Sequence, residues 1–275
     1  MNEGKRSALK GKTVLITRAC LQAAELAHLL RQKGAAPYVS PFIRFAQAEN
    51  LRPLYAALDR IDDYDMLLFT SVNGVRFFLQ AIRERMPMKD QELWQRLLNK
   101  NVTAIGPKTA GMLEQEGFQK LFIPRRFKQE EVVQLLLEKL PPGANILFPR
   151  AAVVRSHLVQ RLKKHGRTVD EAIVYRTLPV EEEKEELQVK LKRRDIDIFT
   201  FTSPSTVRAF DRWFNTYLFE PQRMQVLKSV TVGCIGPVTA REANRLGYSV
   251  HVQPTEYTLQ GLVAALDRYC QNGEA

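Results

Sequence analysis

The sequence FTSVNGVRFF, at residues 69–78, returns 132 positions later as FTSPSTVRAF at residues 201–210. A second motif, IGPKTA at residues 105–110, returns 130 positions later as IGPVTA at residues 235–240. A period of this size is that of a domain, because solenoid repeats recur every ~20–50 residues. The chain is therefore predicted to be an internal duplication, with two similar lobes that form one cleft.

Composition and charge limit the classes of protein to which the chain can belong. The chain has 275 residues, 45% of them hydrophobic, which is enough for two globular domains of roughly 100–150 residues. Its net charge of +11 is spread over both halves, which indicates either a solvated basic surface or a cleft for a polyanion. The three cysteines, Cys20, Cys234 and Cys270, match neither a disulfide framework nor a zinc motif. With no membrane-length apolar run and no signal-peptide pattern, we expect a soluble, cytoplasmic protein.

Short apolar runs alternate with segments of helical periodicity along the whole chain. Residues 65–69 and 197–201 are each predicted to form a strand that is apolar in the middle, as strands buried on both faces of a parallel sheet are. Each run is followed by a helical pattern. The alternation predicts an α/β protein made of two similar doubly wound parallel-sheet domains.

Two stretches interrupt this repetition in the sequence. Residues 181–194, EEEKEELQVKLKRR, are dense in charge with no counterpart chemistry in the other half, and they are predicted to form a solvated helix face with i,i+4 ion pairs. Residues 83–100, around Pro87 and Trp94, are predicted to be an irregular insertion, because the offset between the repeats falls there from 132 to 130.

Hydroxyl residues follow the paired strands, where open α/β sheets bind their ligands. Thr70 and Ser71 lie after the first strand, and Thr202 and Ser203 lie after its repeat. Such a residue can cap the next helix, or it can hold a carboxylate together with the backbone N–H groups of the helix. Because the same arrangement occurs twice, we favour binding for at least one of the two serines.

The paired Gly-Pro motifs mark the ends of the next strands. Gly106 and Gly236 could admit a ligand close to the backbone, or they could simply form a turn. Thr109 and Thr239 then fall in the first turn of the following helix. Both interpretations remain open at this point.

The common catalytic constellations are missing from the sequence. None of the four histidines, at positions 28, 157, 165 and 251, adjoins a repeated Ser or Thr or has the spacing of a metal site. The nucleotide-binding motifs GxGxxG and GxxxxGK[ST] and the serine-hydrolase motif GxSxG are also absent. Any catalysis is therefore expected to come from holding a reactive substrate in the right shape, without a metal or cofactor.

The order and spacing of these motifs resemble the uroporphyrinogen-III synthase family over about residues 11–266. The resemblance rests on VLITR at 14–18, the paired FTS and IGP motifs, IVYRT at 173–177, and PTEYTLQGL at 254–262. Members of that family close the linear tetrapyrrole hydroxymethylbilane into the macrocycle that leads to haem. The resemblance thus implies a lyase of the hydro-lyase type that needs no cofactor.

The resemblance also implies a discontinuous domain organisation, whereas the sequence alone suggests a sequential split near residues 141–143. By similarity to the family, residues 1–40 and 179–275 would form the first α/β domain. Residues 48–170 would form the second domain. Residues 41–47 and 171–178 would be two extended strands that cross between them.

The chemistry implied by the resemblance requires an anionic substrate and a steered ring closure. Hydroxymethylbilane carries eight carboxylates, which would account for the basic excess of the chain. Its hydroxyl leaves as water to give an azafulvene. The terminal pyrrole ring then attacks through its substituted position, and the resulting spiro intermediate recloses with that ring inverted. Without such steering, the free bilane closes to the uninverted isomer.

The family pattern assigns roles to several residues of this chain. Tyr175 matches the tyrosine thought to assist departure of the hydroxyl, although a tyrosine at a strand end could also serve only for packing. The expected carboxylate-binding residues are Ser71, Thr109, Ser203 and Thr258, with Thr70, Thr202, Gly106, Gly236, Thr239, Arg18 and Arg150 as further candidates. The two arginines could equally form surface ion pairs.

Two other functions fit parts of the sequence. A two-lobed, non-enzymatic sensor could close on a small polyanionic ligand, although no output domain is evident. A nucleic-acid binder is disfavoured, because the basic residues do not cluster with aromatic residues in a known module. We expect a monomer whose partner is the small-molecule substrate, with no nucleic acid and no membrane.

Overall fold

The computed structural model describes residues 7–85, 91–125, 129–153 and 157–273. It divides into two compact units. Unit 1 contains the chain up to Arg44 and from Leu178 onward, and unit 2 contains Phe45–Thr177. No helix in the described ranges has both the length and the apolar character needed to cross a bilayer.

Strands and helices are numbered along the chain. The strands are β1 Thr13–Ile16, β2 Ala36–Val39, β3 Ile43–Gln47, β4 Met66–Phe69, β5 Asn101–Ala104, β6 Leu121–Phe122, β7 Asn145–Ala151, β8 Thr168–Pro179, β9 Ile198–Phe201 and β10 Thr231–Cys234. The α-helices are α1 Cys20–Gln32, α2 Arg52–Asp59, α3 Val72–Arg85, α4 Gln91–Leu98, α5 Pro107–Gln115, α6 Gln129–Lys139, α7 His157–Lys164, α8 Glu185–Arg193, α9 Pro204–Tyr217, α10 Glu220–Ser229, α11 Pro237–Arg245 and α12 Leu259–Gln271.

The sheet of unit 1 is parallel, with the strand order β10–β9–β1–β2. Every residue of β9 and β10 is buried, which explains why neither strand carries a charged side chain. Side chains of α1 and α12, such as Leu26 and Leu262, pack on one face of the sheet. Side chains of α8, α9 and α11, such as Leu187 and Phe210, pack on the other face. Unit 1 is therefore doubly wound.

The sheet of unit 2 has the order β3–β8–β7–β4–β5–β6, and the strands from β8 to β6 are parallel. The edge strand β3 runs the opposite way to β8, since Ala48 N–H bonds to Val174 O while Val180 N–H bonds to Phe42 O. Helices α2 to α5 cover one face, and α6 and α7 cover the other. The neighbouring strands β7–β4–β5 repeat the order β1–β9–β10 of unit 1. The prediction of two duplicated, doubly wound α/β domains is confirmed.

The charged run at 181–194 does contain a helix, α8, as predicted. The prediction that this run interrupts the repetition is wrong, because α2 occupies the same place in unit 2, after β3 and before β4. Helix α8 buries Leu187 and Leu191, and α2 buries Leu54 and Leu58. Each helix thus buries two leucines at positions i and i+4. A surface helix needs only such an apolar stripe to pack on the sheet, so its other residues can differ between the two halves.

The prediction of an irregular insertion at 83–100 is wrong where the structure describes this stretch. Helix α4 fills 91–98 and buries Leu93 and Leu97, and it corresponds to α10 in unit 1. Trp94 packs edge-on against Phe118, with ring centroids 6.2 Å apart. Pro87 lies outside the described residues.

Candidate active site

The predicted site residues of unit 2 lie at the carboxyl ends of three neighbouring strands. Arg150 is near the end of β7, Ser71 follows β4, and Gly106 follows β5. Because these strands are parallel, their ends meet at the same edge of the sheet. Unit 1 repeats the arrangement, with Arg18, Ser203 and Gly236 after β1, β9 and β10. In each unit, these candidate residues therefore line the edge of the sheet that is formed by the carboxyl ends of its strands.

Ser71 and Tyr175 are brought together within unit 2. The Ser71 Oγ lies 3.2 Å from the Tyr175 phenol oxygen and also accepts a 3.0 Å hydrogen bond from Gly74 N–H. The second bond caps the N-terminus of α3. Ser71 therefore performs the capping role and contacts the tyrosine with the same oxygen.

Two aromatic side chains contact the ring of Tyr175. Phe77 stacks on it with ring centroids 5.4 Å apart and planes 10° from parallel, and Phe45 meets it edge-on at 5.9 Å. Tyr175 is only 8% exposed. Its ring is therefore fixed, and the phenol group sits at a position set by its neighbours.

A register shift in β8 decides which face of the sheet Tyr175 occupies. Arg150 of β7 pairs with Ile173, but the next residue, Ala151, pairs with Tyr175, so β8 contains one extra residue. Ala172, Val174 and Tyr175 all belong to the core on the α3 side, although strict alternation would place Tyr175 on the opposite face. Such a bulge re-aims a side chain, and here it directs the phenol towards Ser71.

Thr70, Gly106 and Thr109 complete the edge of unit 2. Thr70 is partly buried, whereas Thr109 is buried in the first turn of α5, and its N–H bonds to Gly106 O at 3.2 Å. Gly106 has φ of 90°, a left-handed conformation that disfavours any residue with a Cβ. This glycine is required by the turn itself.

Ser203 is the N-cap of α9 and is engaged in a local hydroxyl cluster. Its Oγ accepts from Thr206 N–H at 3.3 Å and lies 3.0 Å from Ser205 Oγ and 3.1 Å from Thr206 Oγ1. Thr202, just before it, is partly buried. The capping role that the sequence left open is therefore present for both repeated serines.

Gly236 and Gly106 are glycines for different structural reasons. Its backbone is extended, and a Cβ would lie 3.3 Å from the Tyr257 ring, which packs against this glycine. Thr239 is buried in the first turn of α11. Thr258 is exposed and caps α12, because its Oγ1 accepts from Gly261 N–H at 2.9 Å.

The two candidate arginines have different surroundings. Arg150 forms an ion pair with Glu171, with Nε and Oε2 2.6 Å apart, and its Nη1 donates to Ala151 O at 2.7 Å. Arg18 donates to Gln22 Oε1 at 3.3 Å. Burial lowers the pKa of the Arg18 guanidinium, and the charge of Glu25 opposes that shift. Arg150 is thus more fully engaged within its own unit than Arg18.

Sequence reasoning missed the residues that position Tyr175. At the repeat offset of 132, Phe77 corresponds to Ala209, and Tyr175 corresponds to Ile43. The sequence did contain a signal for this stacked pair, because Phe77 and Tyr175 are both replaced by other residue types in the other half of the chain. Arg76 was also missed, and its guanidinium carbon lies 4.6 Å from the centroid of the Phe77 ring.

The groups that the candidate residues offer at the described strand ends are hydroxyls, the Tyr175 phenol, guanidinium groups and backbone N–H groups. No cluster of three His, Cys, Asp or Glu side chains that could hold a metal occurs in the described part of the chain. Cys234 is buried, which raises the pKa of its thiol to about 12. That thiol stays protonated at neutral pH.

Comparisons with known proteins give a consistent family. The family model for uroporphyrinogen-III synthase HemD matches residues 24–264. The uroporphyrinogen-III synthase of Synechococcus elongatus is 29% identical over 264 residues, which cover 96% of this chain and 97% of that protein. The putative uroporphyrinogen-III synthase of Methanothermobacter thermautotrophicus is 30% identical over 259 residues, which cover 91% of this chain and 96% of that protein.

Solved structures agree in fold. The uroporphyrinogen-III synthetase of Helicobacter pylori matches with a TM-score of 0.61 at 21% identity, over 92% of this chain and 97% of that one. A mutant uroporphyrinogen III synthase from Thermus thermophilus matches with a TM-score of 0.59 at 18% identity, over 95% of this chain and 100% of that one. The resemblance drawn from the motifs is confirmed: the chain belongs to the uroporphyrinogen-III synthase family.

Proposed function

We propose that this chain converts hydroxymethylbilane to uroporphyrinogen III as a cofactor-free lyase, with Tyr175 assisting the loss of water. The observation that carries the proposal is the 3.2 Å contact between the phenol oxygen of Tyr175 and Ser71 Oγ. It places an O–H donor beside the N-terminus of α3, at the sheet edge where α/β proteins bind ligands. The identity of the substrate is inferred from the family to which the chain belongs.

Proton donation by the phenol would lower the barrier to loss of the hydroxyl. The proton passes from the Tyr175 oxygen to the hydroxyl oxygen, and the C–O bond breaks with its electron pair going to that oxygen. Water leaves, and the pyrrole nitrogen supplies the electrons that form the azafulvene system, which keeps its N–H proton and carries the positive charge that balances the phenolate. A positioned acid of this kind typically contributes about 10²–10⁴-fold to a rate.

Recognition of the carboxylates would fall to hydroxyls and helix N-termini. A serine or threonine hydroxyl that accepts a backbone N–H still has its own proton to donate. Thr258 is in this position, since it caps α12 yet is exposed. Capping and carboxylate binding are therefore compatible roles, and the helix dipole favours the negative charge.

The experiment that tests this function is a cyclisation assay on purified protein. The protein is dialysed against a chelator and mixed with freshly prepared hydroxymethylbilane, and the product isomers are separated by chromatography. We expect the type III macrocycle ahead of spontaneous type I closure, at a rate that the chelator leaves unchanged. Formation of type I alone would overturn the proposal, and tight binding without turnover would favour the sensor.

A further inference from the structure

We propose that Ser71 is a positioning residue for Tyr175, and that its role is not to hold a substrate carboxylate. Its hydroxyl is anchored by α3 and donates a hydrogen bond to the phenol oxygen, which leaves the phenol proton for the departing hydroxyl. This inference rests on the proposed function, since it assigns a second residue to the same step.

The hydrogen-bond inventory of Ser71 supports this direction. Gly74 N–H can only donate, so Ser71 Oγ is the acceptor in their 3.0 Å bond. The hydroxyl keeps one proton, and the Tyr175 oxygen lies 3.2 Å away. Once the phenol gives its proton to the substrate, its oxygen carries negative charge and needs a donor. Ser71 is placed to supply one.

Helix α3 strengthens this arrangement. The Gly74 N–H belongs to the first turn of a helix of 14 residues, whose N-terminus carries partial positive charge. The hydrogen bond from Gly74 polarises the Ser71 hydroxyl and makes it a better donor. The helix therefore stabilises charge on the phenol oxygen through Ser71.

The other half of the duplication shows that capping does not require this contact. Ser203 caps α9 in the same way, but its Oγ meets the hydroxyls of Ser205 and Thr206. The positions equivalent to Tyr175 and Phe77 are Ile43 and Ala209. The cap is common to both units, whereas the serine–tyrosine pair belongs to unit 2.

The proton balance of the step closes without any additional reactant. The phenol proton leaves in the water molecule, and the phenolate is held by the Ser71 hydrogen bond. The free carbon of the terminal ring loses one proton when that ring re-aromatises after closure. That proton restores the phenol, so Ser71 exchanges no proton itself.

The test is a set of substitutions that separates the hydroxyl from the cap. Ser71→Ala and Ser71→Gly both remove the hydroxyl, but glycine retains most of the cap stability. We expect both to lower kcat by about 10- to 100-fold, the loss typical of one hydrogen bond to a charged group. KM should stay unchanged, and Ser71→Thr should restore most of kcat. A rise in KM with kcat intact would show that Ser71 binds a carboxylate and would overturn the proposal.

A double-mutant cycle then asks whether Ser71 acts through Tyr175. In a Tyr175→Phe background, Ser71→Ala should lower kcat no further, because the group it positions is gone. Equal losses in both backgrounds would overturn the proposal. Ser203→Ala serves as the stability control, since it removes a matching cap and should lower Tm to a similar extent. If the wild-type protein makes no type III product, the proposed function fails, whereas additive losses in an active protein overturn only the role of Ser71.

Discussion

The ring of Phe77 lies nearly parallel to the ring of Tyr175, with centroids 5.4 Å apart. This stacked pair has no equivalent in the other half of the duplication, where the sequence has alanine and isoleucine at the two positions. The same offset that aligns the repeated motifs places Ala209 opposite Phe77 and Ile43 opposite Tyr175. Both halves keep the serine that caps the following helix. The two units thus share a scaffold, and the phenol site is a feature of unit 2.

Replacing Phe77 with leucine should lower kcat, because the Tyr175 ring would lose the neighbour that fixes its orientation. Phe78→Leu is the matched control, since Phe78 is also buried on α3 but contacts the ring of Phe69 instead. Both substitutions shrink a buried ring and should destabilise the protein by about 1–2 kcal/mol. Steady-state kinetics and urea unfolding would be measured on both variants. Equal losses of kcat would show that the effect is general destabilisation.

Ser203→Ala should lower the unfolding free energy by about 1 kcal/mol, whereas Ser203→Gly should cost only a few tenths. The difference arises because glycine leaves the N-terminal N–H groups of α9 open to water. The chain has two tryptophans, so in a Trp94→Phe background the fluorescence of Trp213 reports on unit 1. Identical midpoints in urea for the two variants would argue against the capping role.

Asp267 should make the stability of unit 1 depend on pH. Burial alone would raise the pKa of this carboxyl group, but hydrogen bonds from Ser7, Lys33 and Ala8 N–H outweigh burial and hold the pKa below its ordinary 3.8. The carboxylate therefore contributes its full stability above that value, and the contribution is lost as the pH falls through the lower pKa of the folded state.

We accordingly expect Asp267→Asn to destabilise the protein at neutral pH, with a difference from wild type that narrows below about pH 4. Asp59→Asn is the control, because Asp59 pairs with Arg85 at an exposed site where little stability is at stake. Urea unfolding across the pH series would measure both. A difference for Asp267→Asn that stays constant with pH would contradict the assignment.

The fold was predictable because the conditions for forming it are visible in the sequence. β4 and β9 are buried along their whole length, so both are largely apolar, and each precedes a helix that is capped by a serine. The repeated amino-acid motifs follow from these shared structural constraints. The correspondence of helices α2 and α8 escaped notice because a surface helix needs only its buried leucines, which leaves the other positions free to diverge.

The site was predictable only in part. Tyr175 and Ser71 could be named from their motifs, but their contact depends on the register shift between Arg150 and Ala151. A pattern of period two would assign Tyr175 to the face of Val169 and away from the core that contains Phe77. A bulge has no reliable signature in one sequence, so the partner of Ser71 could not be inferred.

The most direct measurement is the rate at which Tyr175→Phe consumes hydroxymethylbilane, corrected for spontaneous closure. Phenylalanine keeps the stacking on Phe77 and removes only the hydroxyl, so the unfolding free energy should change by no more than about 1 kcal/mol. We predict a loss in kcat of about 10²–10⁴-fold, with type I product rising as uncatalysed closure overtakes the variant. A folded Tyr175→Phe protein that makes type III product at the wild-type rate would contradict the account.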